Sequence, residues 1–190
     1  MPKNKKNDLY SANVFFNCKF LTKIKKKVGF QAVYLHKIKK MDFNRLKNQV
    51  VALLKNNATK DEKLKNICQL LQTEVSYYNW VGFYFRNGAK EELILGPYVG
   101  AHTDHTVIPF GKGICGQVAV SNENFVVPDV STQDNYLACS LTVKSEIVVP
   151  LFVNGENIGQ IDIDSHEINP FTEEDERFLE FVNEQVAQLY

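Results

Sequence analysis

The chain has 190 residues, of which 44% are apolar, 12% aromatic and 23% charged, and its formal net charge is zero. That composition suits one domain with a substantial core and excludes collagen-like, coiled-coil and wholly disordered chains. The longest uninterrupted apolar run is the seven residues Ile147 to Val153, far short of the roughly 20 that a membrane helix needs, so no membrane segment is expected.

The zero conceals an asymmetry. Residues 1–40 carry eleven lysines and one acid, Asp8, whereas the remainder holds eleven bases against 21 acids. A basic, poorly ordered leader over 1–40 and one domain over 41–190, opening at Met41-Asp-Phe, is the expected division. An arm for nucleic acid or another anionic surface is the other reading of the lysines, but no nucleic-acid motif accompanies them, so no such partner is expected. Four cysteines, at 18, 68, 115 and 139, form no Cys-x-x-Cys pair. Lysines interrupt every apolar stretch near the start, so no signal peptide is read. A reducing, cytoplasmic setting with reactive thiols follows.

Apolar residues at helical spacing (Phe43, Leu46, Val50, Leu53, Leu54) predict a helix from Asp42 to Lys55. Thr59 and Glu62 form a capping box that opens a second, with Leu64, Ile67, Cys68, Leu71 and Val75 on its apolar face. Trp80 to Phe85 reads as an aromatic strand. Asn87-Gly88 marks a hairpin, and Glu92 to Leu95 is the partner strand, ended by Gly96-Pro97. Residues 99–106 read as loop, Ile114 to Val120 as a short helix and Phe125 to Val127 as a strand. Pro128 to Lys144 is a long loop, a length usually tied to function or disorder. Glu146–Val153 and Asn157–Asp164 flank the turn Asn154-Gly155. A last helix, capped by Thr172, runs to about Gln188. Strands bracketed by helices predict an α+β fold: a mostly antiparallel central sheet flanked by N-terminal and C-terminal helices.

Several residues invite a chemical reading. Cys115 stands among Gly111, Gly113 and Gly116 at a helix start, where backbone can approach closely and the helix dipole favours a thiolate. A buried cysteine in a tight turn is the other reading. Cys139 lies in the long loop, and loops stay near the surface. Cys68 reads as core. Asp162 and Asp164 alternate with Ile161 and Ile163, so both acids share one strand face, and Glu146 opens the neighbouring apolar strand. That face is either solvated or the acidic side of a pocket, where crowded carboxyls would keep a proton and hold an ammonium group. Trp80 and Tyr84 share a face and could wall such a pocket. His102, Asp104 and His105 read as solvated polar residues rather than metal ligands.

Five stretches occur in order: Asn79-Trp-Val-Gly-Phe-Tyr84, Ile108-Pro-Phe-Gly-Lys-Gly-Ile-Cys-Gly116, Leu137-Ala-Cys139, Ser145-Glu-Ile-Val-Val-Pro-Leu151 and Ile158-Gly-Gln-Ile-Asp-Ile-Asp-Ser165. With them the chain resembles the free methionine-(R)-sulfoxide reductases, which are single GAF domains, over about residues 42–190. The resemblance implies reduction of free methionine (R)-sulfoxide by a cysteine thiolate through sulfenic acid and disulfide, with a thioredoxin-type dithiol as reductant. It assigns Cys139 as nucleophile and Cys115 as resolving or assisting thiol. Glu146, Asp162 and Asp164 would bind the ammonium and supply a proton, and Trp80 and Tyr84 would enclose the sulfur end. Backbone N–H groups around 135–139 would meet the carboxylate. No cofactor or metal is implied, and homodimer formation is left open. Two positions depart from the family: His105 stands where a further cysteine is common, and Ser140 follows Cys139 where Asp is usual. Cys139 can pair with Cys115 if their Cα atoms come within about 7 Å; otherwise an external thiol must reduce the sulfenic acid. A GAF domain that binds a small ligand without chemistry is the alternative. No Cys-His pair for a bilin and no Asn-Lys-x-Phe-Asp-Glu stretch supports it.

Overall fold

The computed structural model describes residues 41–135 and 142–190. Four α-helices, α1 (Phe43–Leu54), α2 (Lys60–Glu74), α3 (Gly113–Ser121) and α4 (Glu173–Ala187), accompany six strands. These are β1 (Trp80–Arg86), β2 (Glu92–Val99), β3 (Val107–Pro109), β4 (Phe125–Val127), β5 (Ser145–Val153) and β6 (Glu156–Ser165). They form one antiparallel sheet in the order β3-β2-β1-β6-β5-β4, the α+β arrangement expected from the sequence. No helix among the described residues is long and apolar enough to cross a membrane.

Alternation gives the sheet two different faces. One carries Val81, Phe83, Ile147, Val149, Leu151, Ile161 and Ile163, all buried; α2 and α4 cover it, and α1 packs against both helices. Their buried residues Leu46, Val50, Leu64, Ile67, Leu71, Phe178, Leu179, Val182 and Val186 are the apolar stripes read from the sequence. Asn183 of α4 fixes the docking by donating to the carbonyls of Val149 and Pro150. The opposite face carries Trp80, Tyr84, Val148, Glu146, Asp162 and Asp164, with α3 over it in a smaller cluster that includes Ile114, Cys115, Val118 and Ala119.

Two readings of the sequence need correction. Gly96-Pro97 does not end β2, which runs on to Val99. The register slips between the pairs Gly82↔Tyr98 and Tyr84↔Leu95, so Gly96 and Pro97 occupy a bulge. Pro97 costs no ladder bond there, because β3 pairs only with Glu92–Ile94 and leaves the outer edge open. Val107–Pro109, to which the sequence assigns no element, is a short edge strand. The long loop is pinned at its base: Val130 donates to Lys144, Lys144 to Ser165, and Asn135 Nδ2 to Gly111 at 2.7 Å.

The capping box at Thr59/Glu62 forms as read, and the Thr172 cap read for the last helix proves to be a second box, closed by Asp175. The second is also a tertiary knot. Fully buried Asp175 accepts from Tyr77 and Tyr78 hydroxyls, each at 2.8 Å, and from the Thr172 amide and hydroxyl at 2.8 and 2.7 Å. Asp175→Ala would strand two hydroxyls and a helix cap. It should cost about 3 kcal/mol in urea unfolding; a change below about 0.5 kcal/mol would show that the knot is not stabilising.

Candidate active site

The pocket face is built by register. On β6, Asp164 lies opposite both Glu146 of β5 and Trp80 of β1, and Asp162 lies opposite Gly82 and Val148. Directly paired residues of an antiparallel ladder share a face, so the three acids, Trp80 and Tyr84 converge. They are not solvated: Glu146, Asp162 and Asp164 are 4%, 2% and 1% exposed. No ion pair reaches them among the described residues, and Oδ1 of both Asp162 and Asp164 lacks a hydrogen-bond partner.

Burial without a cation raises all three carboxyls. Asp162 is pushed up to about 7 by desolvation, with a hydrogen bond to Cys115 drawing it partly back. Desolvation and the Asp162 charge hold Asp164 well above the usual carboxylate range, and Glu146 is raised by desolvation, then by both aspartates. The triad therefore keeps protons near neutral pH and ionises most readily when a cation enters.

Cys115 completes the acidic side. It stands in the first turn of α3, its Sγ 4.0 Å from Glu146 Oε1. The glycines around it have distinct duties. Gly111 and Gly113 take positive φ (77° and 60°), and a Cβ on Gly116 would lie 2.5 Å from the Pro109 carbonyl oxygen. Cys68 is core, as read; burial pushes its thiol up to about 12. Cys139 belongs to 136–141 and, like Cys18, lies outside the described residues.

The apolar wall is larger than the sequence reading. Trp80 stacks on Tyr98 (5.2 Å between ring centroids) and faces Tyr84 (6.3 Å). A Cβ on Gly82 or Gly100 would collide with the indole, so these glycines make its slot. Trp80 Nε1 donates to Ala101 at 3.1 Å and Tyr84 donates to the His105 carbonyl at 2.9 Å, which straps the 100–106 loop across the aromatics. His105, where the resemblance leads one to expect a further cysteine, thus meets the pocket wall through its main chain. Tyr98 was hidden because Gly96-Pro97 reads as a strand end; its register opposite Gly82 reveals it.

His102 Nε2 pairs with Asp104 Oδ1 at 3.4 Å, and both are strongly exposed. Among the described residues, the group with metal-ligand spacing is instead Cys115, Glu146 and Asp162, whose ligand atoms all lie within 4.8 Å of one another.

Comparison with known proteins accords with this geometry. The GAF domain family model matches residues 57–189. A free methionine-R-sulfoxide reductase of Escherichia coli is 39% identical over 126 residues, covering 66% of this chain and 73% of the relative. One of Saccharomyces cerevisiae is 44% identical over 104 residues, or 54% and 57% of the two chains. The structure of a Neisseria meningitidis free methionine-R-sulfoxide reductase in complex with its substrate is 33% identical, with a TM-score of 0.73 over 77% of this chain and 87% of that one. On sequence and fold together, this chain belongs to the free methionine-R-sulfoxide reductase family of GAF domains.

Proposed function

We propose that the chain reduces free methionine (R)-sulfoxide to methionine, with Cys139 as nucleophile and Cys115 as resolving thiol. The observation that carries the reading is the buried acid triad, which has no base beside it among the described residues and faces an aromatic wall. A free amino acid brings the missing ammonium. Asp162 and Asp164, whose Oδ1 atoms have no partner, accept from it, while Trp80, Tyr84 and Tyr98 take the thioether end.

The Cys139 thiolate attacks the sulfoxide sulfur, forming an S–S bond while the oxygen takes up a proton. The hydroxyl then passes to the Cys139 sulfur as the S–O and S–S bonds break, so that Cys139 is left as sulfenic acid and methionine departs with the electron pair on its sulfur. An acid kept protonated by burial supplies the proton, a role that suits Asp162 or Glu146 beside Cys115. The Cys115 thiol then attacks the sulfenic sulfur, water departs and a disulfide remains. A thioredoxin-type dithiol reduces it, two electrons and two protons restoring both thiols.

Loss of the sulfoxide, followed in dithiothreitol, tests the reading. The (R) epimer should be consumed and the (S) epimer spared. Cys139→Ser should lower the rate at least a thousandfold, and unchanged turnover in that variant removes Cys139 from the chemistry. With Cys115→Ser, a single turnover should survive while thioredoxin-driven turnover falls at least tenfold.

The triad also predicts a pH dependence of stability. A carboxyl whose folded value is raised binds more protons in the folded than in the unfolded state between the two values, so stability falls as pH rises through that window. For Asp162 the window runs from 3.8 to about 7. The ligand-free domain should therefore melt lower at the top of this window than at its middle, and Asp162→Asn should reduce the drop while raising the melting temperature near neutral pH. Equal pH slopes for both proteins would show that Asp162 is not held protonated by burial.

A further inference from the structure

We propose that Cys115, Glu146 and Asp162 bind one Zn2+ ion and that the bound ion closes the pocket to substrate. The blocking rests on the reductase reading; the metal site does not. Three side chains from three elements, α3, β5 and β6, bring one sulfur and two carboxylate oxygens within 4.8 Å of one another. The Sγ to Oε1 separation is 4.0 Å. Tetrahedral zinc with Zn–S about 2.3 Å and Zn–O about 2.0 Å needs ligand separations of roughly 3.3–3.5 Å. The widest gap must close by up to about 1.5 Å, within reach of a carboxyl rotation.

A second observation points to a cationic ligand. Among the described residues Asp162 Oδ1 and Asp164 Oδ1 are both buried without a partner, on the sheet face that bears Glu146 and lies under α3, which carries Cys115. The donor set decides which cation. A thiolate is a poor ligand for Mg2+ and Ca2+, and carboxylates are poor ligands for Cu+; one sulfur with two oxygens suits Zn2+. The ion displaces the thiol proton and any carboxyl protons, so a thiolate and two carboxylates place three negative charges around a dication. Three protein ligands leave one coordination position open, as in exchangeable zinc sites. Substrate ammonium and zinc then compete for Asp162, and zinc also occupies the resolving thiol.

The test uses the full chain, reduced with a phosphine and freed of metal by chelation. Titration with Co2+ reports thiolate ligation by near-ultraviolet charge transfer. It should saturate at one equivalent, and Zn2+ should displace the cobalt. Cys115→Ser should lose the band, while Glu146→Gln and Asp162→Asn should weaken binding at least tenfold, with circular dichroism confirming the fold of each. Saturating L-methionine should weaken Co2+ binding at least tenfold, and one equivalent of Zn2+ should abolish sulfoxide reduction. Absence of the band in the wild-type chain, or its persistence in Cys115→Ser, would overturn the site. Full reduction with one equivalent of bound Zn2+ would overturn the blocking. Cobalt bound through Cys115 in a chain that never reduces the sulfoxide would support the metal site and remove the reductase reading instead.

Discussion

Three carboxyl groups held out of water, with no base beside them among the described residues, are the constraint around which this domain is arranged. Glu146 of β5 lies directly opposite Asp164 of β6, and Asp162 follows two residues away on the same face of β6, so none can turn away from the others without leaving the sheet. An unpaired buried charge is among the costliest features a fold can carry. The group answers by keeping its protons, and the cost is carried by the other side of the sheet, where α1, α2 and α4 bury an apolar layer. The two faces thus divide the labour: one supplies stability, the other a pocket that stability alone would have filled with valine.

The same division explains the aromatic wall. Trp80 is bulky enough to seal the sheet, yet it must lie flat to leave room in front of the acids. Gly82 beneath it and Gly100 beside it have no side chains to push it up, and Tyr98 braces it through a ring stack. The bulge at Gly96-Pro97 is part of this device, because it brings Tyr98 opposite Gly82 instead of one residue out of register. Local irregularity in β2 therefore sets the shape of a pocket whose charged groups belong to β5 and β6.

What could be read from the chain depended on how local the signal was. The Thr59/Glu62 capping box, the Thr172 cap, the helical stripes and the Asn154-Gly155 turn depend on residues a few positions apart, and each stands where it was expected. Period-2 alternation showed that Asp162 and Asp164 share a face but not whether that face meets water; that depends on α3, far away in sequence, lying over it. The Gly96-Pro97 stop failed for a related reason. Proline is excluded from a strand only where its missing N–H would be needed, and β3, whose pairing goes no further along β2 than Val107 opposite Ile94, removes the need at Pro97. The convergence of Cys115 with Glu146 and Asp162 had no local trace, since it joins three elements across more than thirty residues. Family resemblance, not periodicity, linked them beforehand.

In the proposed reaction this convergence lets one group of acids serve both halves of the cycle. Reduction of a sulfoxide needs a proton on the departing oxygen, and formation of a disulfide from a sulfenic acid needs a proton on the departing hydroxyl. Both protons are required near the same sulfur, first with an ammonium group present and then without it. A lone carboxyl would be drained by the first step. Three carboxyls that share charge behave differently: the incoming ammonium stabilises an ionised member, and its departure with methionine drives the group to take a proton back from solvent. Cys115, next to Glu146 and hydrogen-bonded with Asp162, stands where that proton returns. Recharging of the acids is thereby tied to product release, and the resolving thiol meets a protonated partner when the pocket has emptied.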